Sequence, residues 1–101
     1  MKFVKGNLPG IIICEPKKIN DQRGFFSESF RKDLFESFLG HEIDFCQENL
    51  SQSNFGVLRG LHFQKEPFAQ SKLVCVQKGK ILDVVVDIRK NSKSYGESFS
   101  V

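Results

Sequence analysis

Asn54-Phe55-Gly56-Val57-Leu58-Arg59-Gly60-Leu61-His62-Phe63-Gln64 is the stretch on which the reading of this chain turns. It is apolar enough for a core strand, yet it carries an Arg, two glycines and a His. Side chains of a strand alternate faces with a period of two. Arg59 would share a face with Val57, Leu61 and Phe63, and His62 would share the other with Leu58 and Gln64. Gly60 stands between them, and glycine inside a strand often marks a bulge or a close backbone approach. A bulge there would turn both polar groups toward one cavity. The competing reading is a satisfied core His beside a solvated Arg.

Working outward, the flanking segments also read as short strands. Ile43 to Ser51 places Phe45, Gln47 and Asn49 on one face. Lys72 to Gln77 places Lys72, Val74 and Val76 on one side, and Lys78-Gly79-Lys80 predicts a hairpin turn into Ile81 to Arg89. Glu97 to Val101 begins another strand. Toward the N-terminus, Met1 to Lys5, Ile11 to Glu15 and Phe25 to Phe30 are strand-like, with Pro16 to Gly24 expected as a loop. Only from Arg31 does the period change: Phe30, Leu34, Phe35, Phe38 and Leu39 recur at helical spacing. Ser29 is the expected N-cap of that helix and Gly40 its end. Many short strands with one short helix predict an all-β antiparallel sandwich or barrel. The 101 residues suggest a single domain, 1–101. The last strand is expected to be cut short before the barrel closes.

Composition narrows the function classes. Eleven Phe argue for a real core and against disorder. A net charge of +3 with pI near 8.8 suits an anionic small ligand. The chain lacks the dense basic runs of a nucleic-acid binder, and no stretch could span a bilayer as a helix. Cys14, Cys46 and Cys75 are far apart and odd in number, so buried reduced thiols and a cytoplasmic setting are expected.

Glu28, Gln47, Asn49, Arg59, His62 and Lys72 are polar residues on otherwise apolar strands. A barrel lined by them would form a ligand cavity. Its cations suit a phosphate or pyrophosphate, and His62 suits proton transfer near neutral pH. A metal site competes. The barrel motif G-x5-H-x-H-x3-4-E starts correctly at Gly56 and His62, but Gln64 replaces its second His. Its Glu position falls on Phe68 or Ala69. No nucleophile elbow and no phosphate-binding glycine loop is present.

Five segments in order carry a resemblance: Asp21 to Phe30 (DQRGFFSESF), Phe45 to Ser53 (FCQENLSQS), Gly56 to Gln64 (GVLRGLHFQ), Ala69 to Val74 (AQSKLV) and Asp83 to Arg89 (DVVVDIR). Ser94-Tyr95-Gly96 fits the same pattern. Together they resemble the N-terminal part of the dTDP-4-dehydrorhamnose 3,5-epimerases. The resemblance implies a cupin-type jelly roll (a double-stranded β-helix), homodimeric and working without a metal or other cofactor. It implies dTDP-4-dehydro-6-deoxyglucose as substrate, epimerised on the route to dTDP-rhamnose. By motif, His62 resembles the base next to the C4 ketone and Lys72 the cation that stabilises the enolate. Arg59 resembles a residue of the same pocket, and Gln47 and Asn49 match sugar- and nucleotide-contacting positions. Arg23, Phe26 and Glu28 match positions the family contributes to a neighbouring subunit's nucleotide site. The family's reprotonating Tyr and His-orienting Asp belong to a second half that is not matched here. Rival readings are a non-catalytic half-barrel, and a related sugar-nucleotide ketoisomerase or single-carbon epimerase.

Overall fold

The computed structural model describes residues 1–101 and divides into two compact units, Met1–Leu50 and Ser51–Val101. Regular structure is mostly strand, with one short helix.

The first unit opens with β1 (Lys2–Lys5) paired antiparallel to β2 (Ile12–Glu15). Phe3 lies opposite Cys14, and Lys2 opposite Glu15 with an ion pair of 3.2 Å. The connection folds back tightly: the Gly6 amide donates to the Ile11 carbonyl at 2.9 Å. A Cβ on Gly6 would come within 2.8 Å of Ile11 Cγ2, so only glycine allows that approach. Leu8, 3 % exposed, seals the loop.

A second hairpin follows, β3 (Lys18–Asp21) against β4 (Gly24–Ser27), with Gln22 and Arg23 as its two-residue turn. The sequence alone suggested a loop from Pro16 to Gly24. Pairing overrides the weak strand propensity there, because Ile19 and Asn20 find Phe26 and Phe25 directly across the ladder. β4 also ends at Ser27, so Glu28 and Phe30 lie beyond it rather than on one face with Phe26.

The helix α1 (Lys32–Leu39) begins two residues later than an N-cap at Ser29 would have it. Arg31 occupies the N-cap in extended conformation, without a side-chain cap, and its guanidinium reaches forward to Asp33 in the first turn. The expected stop holds: Gly40 adopts the left-handed conformation (φ 77°), and its amide donates to the Glu36 carbonyl at 2.8 Å. The apolar stripe read from the sequence packs as a phenylalanine cluster. Phe3 meets Phe35 edge-on at 4.9 Å and stacks on Phe38 at 4.9 Å. Phe30 lies 5.1 Å from Phe35 and 5.8 Å from Phe45. Such pairs add about 0.5–1.5 kcal/mol each beyond area burial. Phe35, 5 % exposed, is the centre of this small core.

In the second unit β5 (Val84–Val86) pairs antiparallel with β6 (Ser98–Ser100). Asp83 and Val101 exchange backbone hydrogen bonds of 2.9 and 3.0 Å, lengthening the ladder by one pair. At its other end the Asp87 amide donates to the Glu97 carbonyl at 2.9 Å, and the Gly96 amide donates to the Asp87 carbonyl at 2.7 Å. The expected strand at Ile81–Arg89 is thus real at its centre, but its partner is the Glu97–Val101 segment. Lys72–Gln77 does not pair with it, and no hairpin forms across Lys78–Lys80.

Ile43–Ser51, Asn54–Gln64 and Lys72–Gln77 are likewise outside any ladder. Alternation specifies which side chains share a face, but a strand also needs a neighbouring backbone for its N–H and C=O groups. None of these three segments finds such a ladder partner. Many of their apolar side chains are open to solvent, with Leu58 88 % and Leu61 73 % exposed. The bulge expected at Gly60 has no ladder to interrupt. The thiols depart from expectation too: Cys46 and Cys75, in these segments, are exposed, and Cys14 on β2 is half-buried, all three free.

Candidate functional site

Within the first unit, the β3–β4 turn positions Arg23. The Asp21 carboxylate accepts the Arg23 backbone amide at 2.8 Å and its guanidinium at 3.1 and 2.6 Å. These bonds hold the Asp21 carboxyl below its usual range, the Arg23 side chain being the main cause. Asp21 therefore aims the guanidinium, whose remaining donors face water. Phe26 sits on β4 opposite Ile19 and is 65 % exposed. On the same hairpin the Lys18 ammonium lies 4.6 Å from the centre of the Phe25 ring. A cation and bare aromatic faces on one short hairpin form a surface suited to a base and a phosphate.

Glu28 is nearer the helix start, where Arg31 approaches it at 3.5 Å. Arg31 binds Asp33 more closely, with Nε to Oδ1 at 2.9 Å. That pairing raises the Arg31 guanidinium and lowers the Asp33 carboxyl from their ordinary values. Gln47 and Asn49 do share a face as their spacing predicts: Gln47 Nε2 donates to Asn49 Oδ1 at 3.0 Å. Both are exposed.

The second unit carries Arg59, His62 and Lys72, all exposed. Arg59 is ordered by its own loop, donating to Ser53 Oγ at 2.9 Å and to the Gln52 carbonyl at 3.0 Å. His62 and Lys72 make no hydrogen bond or ion pair, so the imidazole and the ammonium are both available to a ligand. Gly60, at φ 101°, turns the backbone just before His62. A Cβ built on it would lie 3.0 Å from His62 Nδ1. A cavity of about 560 Å³ in this unit is lined by Phe63, Lys65, Lys90 and Tyr95 among others, and by none of Arg59, His62 or Lys72. No group of three or more His, Cys, Asp or Glu is placed to hold a metal.

One polar cluster escaped the reading of the sequence. The buried Asp87 carboxylate accepts Arg89 Nε at 2.8 Å and Nη2 at 2.7 Å, Ser92 Oγ at 2.6 Å and Ser94 Oγ at 2.7 Å. It joins the DVVVDIR segment to Ser94-Tyr95-Gly96. The available signal was an Asp at a strand end followed by Arg, Ser and Ser at offsets two, five and seven.

Comparison with known proteins places these residues in context. The family model described as dTDP-4-dehydrorhamnose 3,5-epimerase matches residues 5–101. The enzyme of that name from Shigella flexneri is 50 % identical over 97 residues, which is 96 % of this chain and 54 % of the relative. The one from Methanothermobacter thermautotrophicus is 52 % identical over 96 residues, 95 % of this chain and 51 % of the relative. The chain thus spans about half the length of the curated relatives it matches. Among solved structures, the Elizabethkingia anophelis epimerase superposes with a TM-score of 0.92 at 44 % identity, covering 100 % of this chain and 55 % of that one. The Bacillus anthracis epimerase, solved with TDP and PPi bound, gives 0.91 at 42 % identity, covering 99 % and 57 %.

Proposed function

Because this chain belongs to the dTDP-4-dehydrorhamnose 3,5-epimerase family, we propose that it carries the proton-abstracting half of a sugar-nucleotide epimerase site. The observation that supports this most is the match of its entire length to a solved epimerase at 44 % identity. The substrate on this reading is dTDP-4-dehydro-6-deoxyglucose, converted to dTDP-4-dehydrorhamnose in dTDP-rhamnose biosynthesis. TDP in the Bacillus anthracis relative supports a thymidine nucleotide as the recognised handle.

The chemistry follows from the residues. Protons next to the C4 ketone are weakly acidic, and removing one places negative charge on the ketone oxygen. His62 takes the proton from C5 or C3. The electron pair moves into the ring as an enolate, and Lys72 stabilises its oxygen electrostatically. Return of a proton to the opposite face completes the inversion. Arg59 belongs to the same pocket, and Gln47 and Asn49 contact sugar and nucleotide. Arg23, Phe26 and Glu28 serve the nucleotide site of a neighbouring subunit in a cytoplasmic homodimer. The fold on this reading is one cupin-type jelly-roll domain, of which residues 1–101 form the N-terminal part. We assign the work to side chains without a metal, since Gln64 stands where the barrel's metal motif needs its second His.

The test is exchange of the C3 and C5 protons in deuterated water, using the chain joined to the C-terminal half of a relative. His62→Ala should abolish exchange at both carbons while dTDP binding persists. Undiminished exchange in that variant would refute the base role. A non-catalytic half-barrel is the second reading, favoured by the exposure of Arg59, His62 and Lys72 and their absence from the lining of the second unit's cavity. It predicts dTDP binding with no exchange by the 101-residue chain.

A further inference from the structure

Glycine is expected wherever the backbone needs a positive φ, and Gly24, Gly40, Gly56, Gly79 and Gly96 answer to that need alone. A Cβ added at any of these five would meet nothing within 4 Å. Gly60 is different. Its φ of 101° already disfavours an L side chain. In addition, an added Cβ would lie 3.0 Å from His62 Nδ1, 3.3 Å from the His62 backbone nitrogen and 3.6 Å from its Cε1. The space that a side chain would occupy lies against the Nδ1 edge of the imidazole.

We infer that Gly60 is a positioning residue for His62, its missing side chain setting where the imidazole rests and which way the ring nitrogens face. The inference deepens the reading of His62 as the base and rests on it for its catalytic meaning. His62 has no hydrogen-bond partner in the chain, so the contact with Gly60 is the constraint on its ring that this half of the site supplies. A base must hold its lone pair within reach of a particular proton, and small misplacements are costly. A methyl on Gly60 would crowd the ring, which would have to give by a few tenths of an ångström.

The experiment uses the 101-residue chain and its two histidines. Ring resonances of His62 and His41 are compared by NMR at one fixed pH, with His41 as the internal reference. Gly60→Ala should move the His62 ring shifts while leaving those of His41 unchanged. A folded Gly60→Ala chain with His62 signals as in the parent overturns the inference. Thermal unfolding covers the case in which Gly60→Ala does not fold. Introduced into a His62→Ala background, the same substitution should cost less than in the parent, since the group it collides with is gone. Equal cost in both backgrounds overturns the inference. Neither readout needs epimerase activity, so coupling of the two residues can stand even where the base assignment falls to the exchange experiment.

Discussion

The Ser94 hydroxyl donates a 2.7 Å hydrogen bond to Oδ2 of Asp87, and both residues are buried, at 7 % and 6 % exposure. Ser92 Oγ reaches the same oxygen at 2.6 Å and lies 3.0 Å from Ser94 Oγ. One carboxylate at the end of β5 therefore closes the whole turn leading to β6. Each donor shares the load with the others, so removing the acceptor should matter more than removing a single donor. Ser94→Ala should cost roughly 1 kcal/mol, the usual worth of one such bond. Asp87→Ala, which strands two hydroxyls and a guanidinium together, should cost more. Hydrogen exchange at the Gly96 and Asp87 amides checks this, since both bonds lie at the mouth of the turn. Equal protection in the two variants would defeat the argument.

The same carboxylate predicts a pH dependence. Arg89, then Ser92 and Ser94, hold the Asp87 carboxyl well below the usual carboxylate range. In the unfolded chain it returns to about 3.9. Below that value the unfolded state binds the proton more readily than the folded one. The stabilisation is therefore complete above the unfolded value and drains away as pH falls from there toward the folded value. Exchange protection in the β5–β6 turn should decline below about pH 4. An Asp87→Asn chain should lose that part of the acid dependence; an unchanged acid profile would contradict it.

Phe35 carries the largest predicted loss of stability. It is buried and touches Phe3 and Phe30, so truncation removes both ring pairs and leaves a cavity. Phe35→Ala should cost about 3–5 kcal/mol, and Phe35→Leu clearly less. Helical circular dichroism during chemical denaturation is the measurement. Loss of the α1 signal at markedly lower denaturant is expected for the alanine variant.

Lys72→Ala tests the electrostatic half of the proposed chemistry. In a chain completed with a relative's C-terminal half, loss of one such contact should slow proton exchange about 10²–10³-fold. The nucleotide's affinity should change little, because the charge acts on the developing enolate. A loss confined to affinity would place Lys72 with the phosphates instead.

Exposed apolar surface predicts association. Phe55, Leu58, Leu61 and Leu82 are exposed together with the unpaired backbone around them. Such surface recruits partners, at about 25 cal/mol per Å² buried. Sedimentation of the 101-residue chain should show a dimer or larger species, and turnover of the dTDP-keto-sugar by it should be absent. A stable monomer would defeat the first expectation and measurable turnover the second.

Local physics was legible in the sequence wherever one segment supplied all the atoms of the feature. The helix stop at Gly40, the shared face of Gln47 and Asn49, and the stripe of Phe35 and Phe38 follow from backbone permissiveness and side-chain period alone. The motif residues His62, Lys72 and Arg59 were visible for the same reason: they are polar where neighbours are apolar. What the sequence could not decide was pairing. The period of two at Asn54–Gln64 and Lys72–Gln77 names faces, yet a ladder needs a second backbone, and which backbone is a matter of three-dimensional proximity. So β5 found Ser98–Ser100 rather than Lys72–Gln77, Pro16–Gly24 became half a hairpin, and Asp87 met Ser94 across a turn. The contact of Gly60 with the His62 imidazole belongs there too, because only the folded backbone decides what occupies the space beside a glycine.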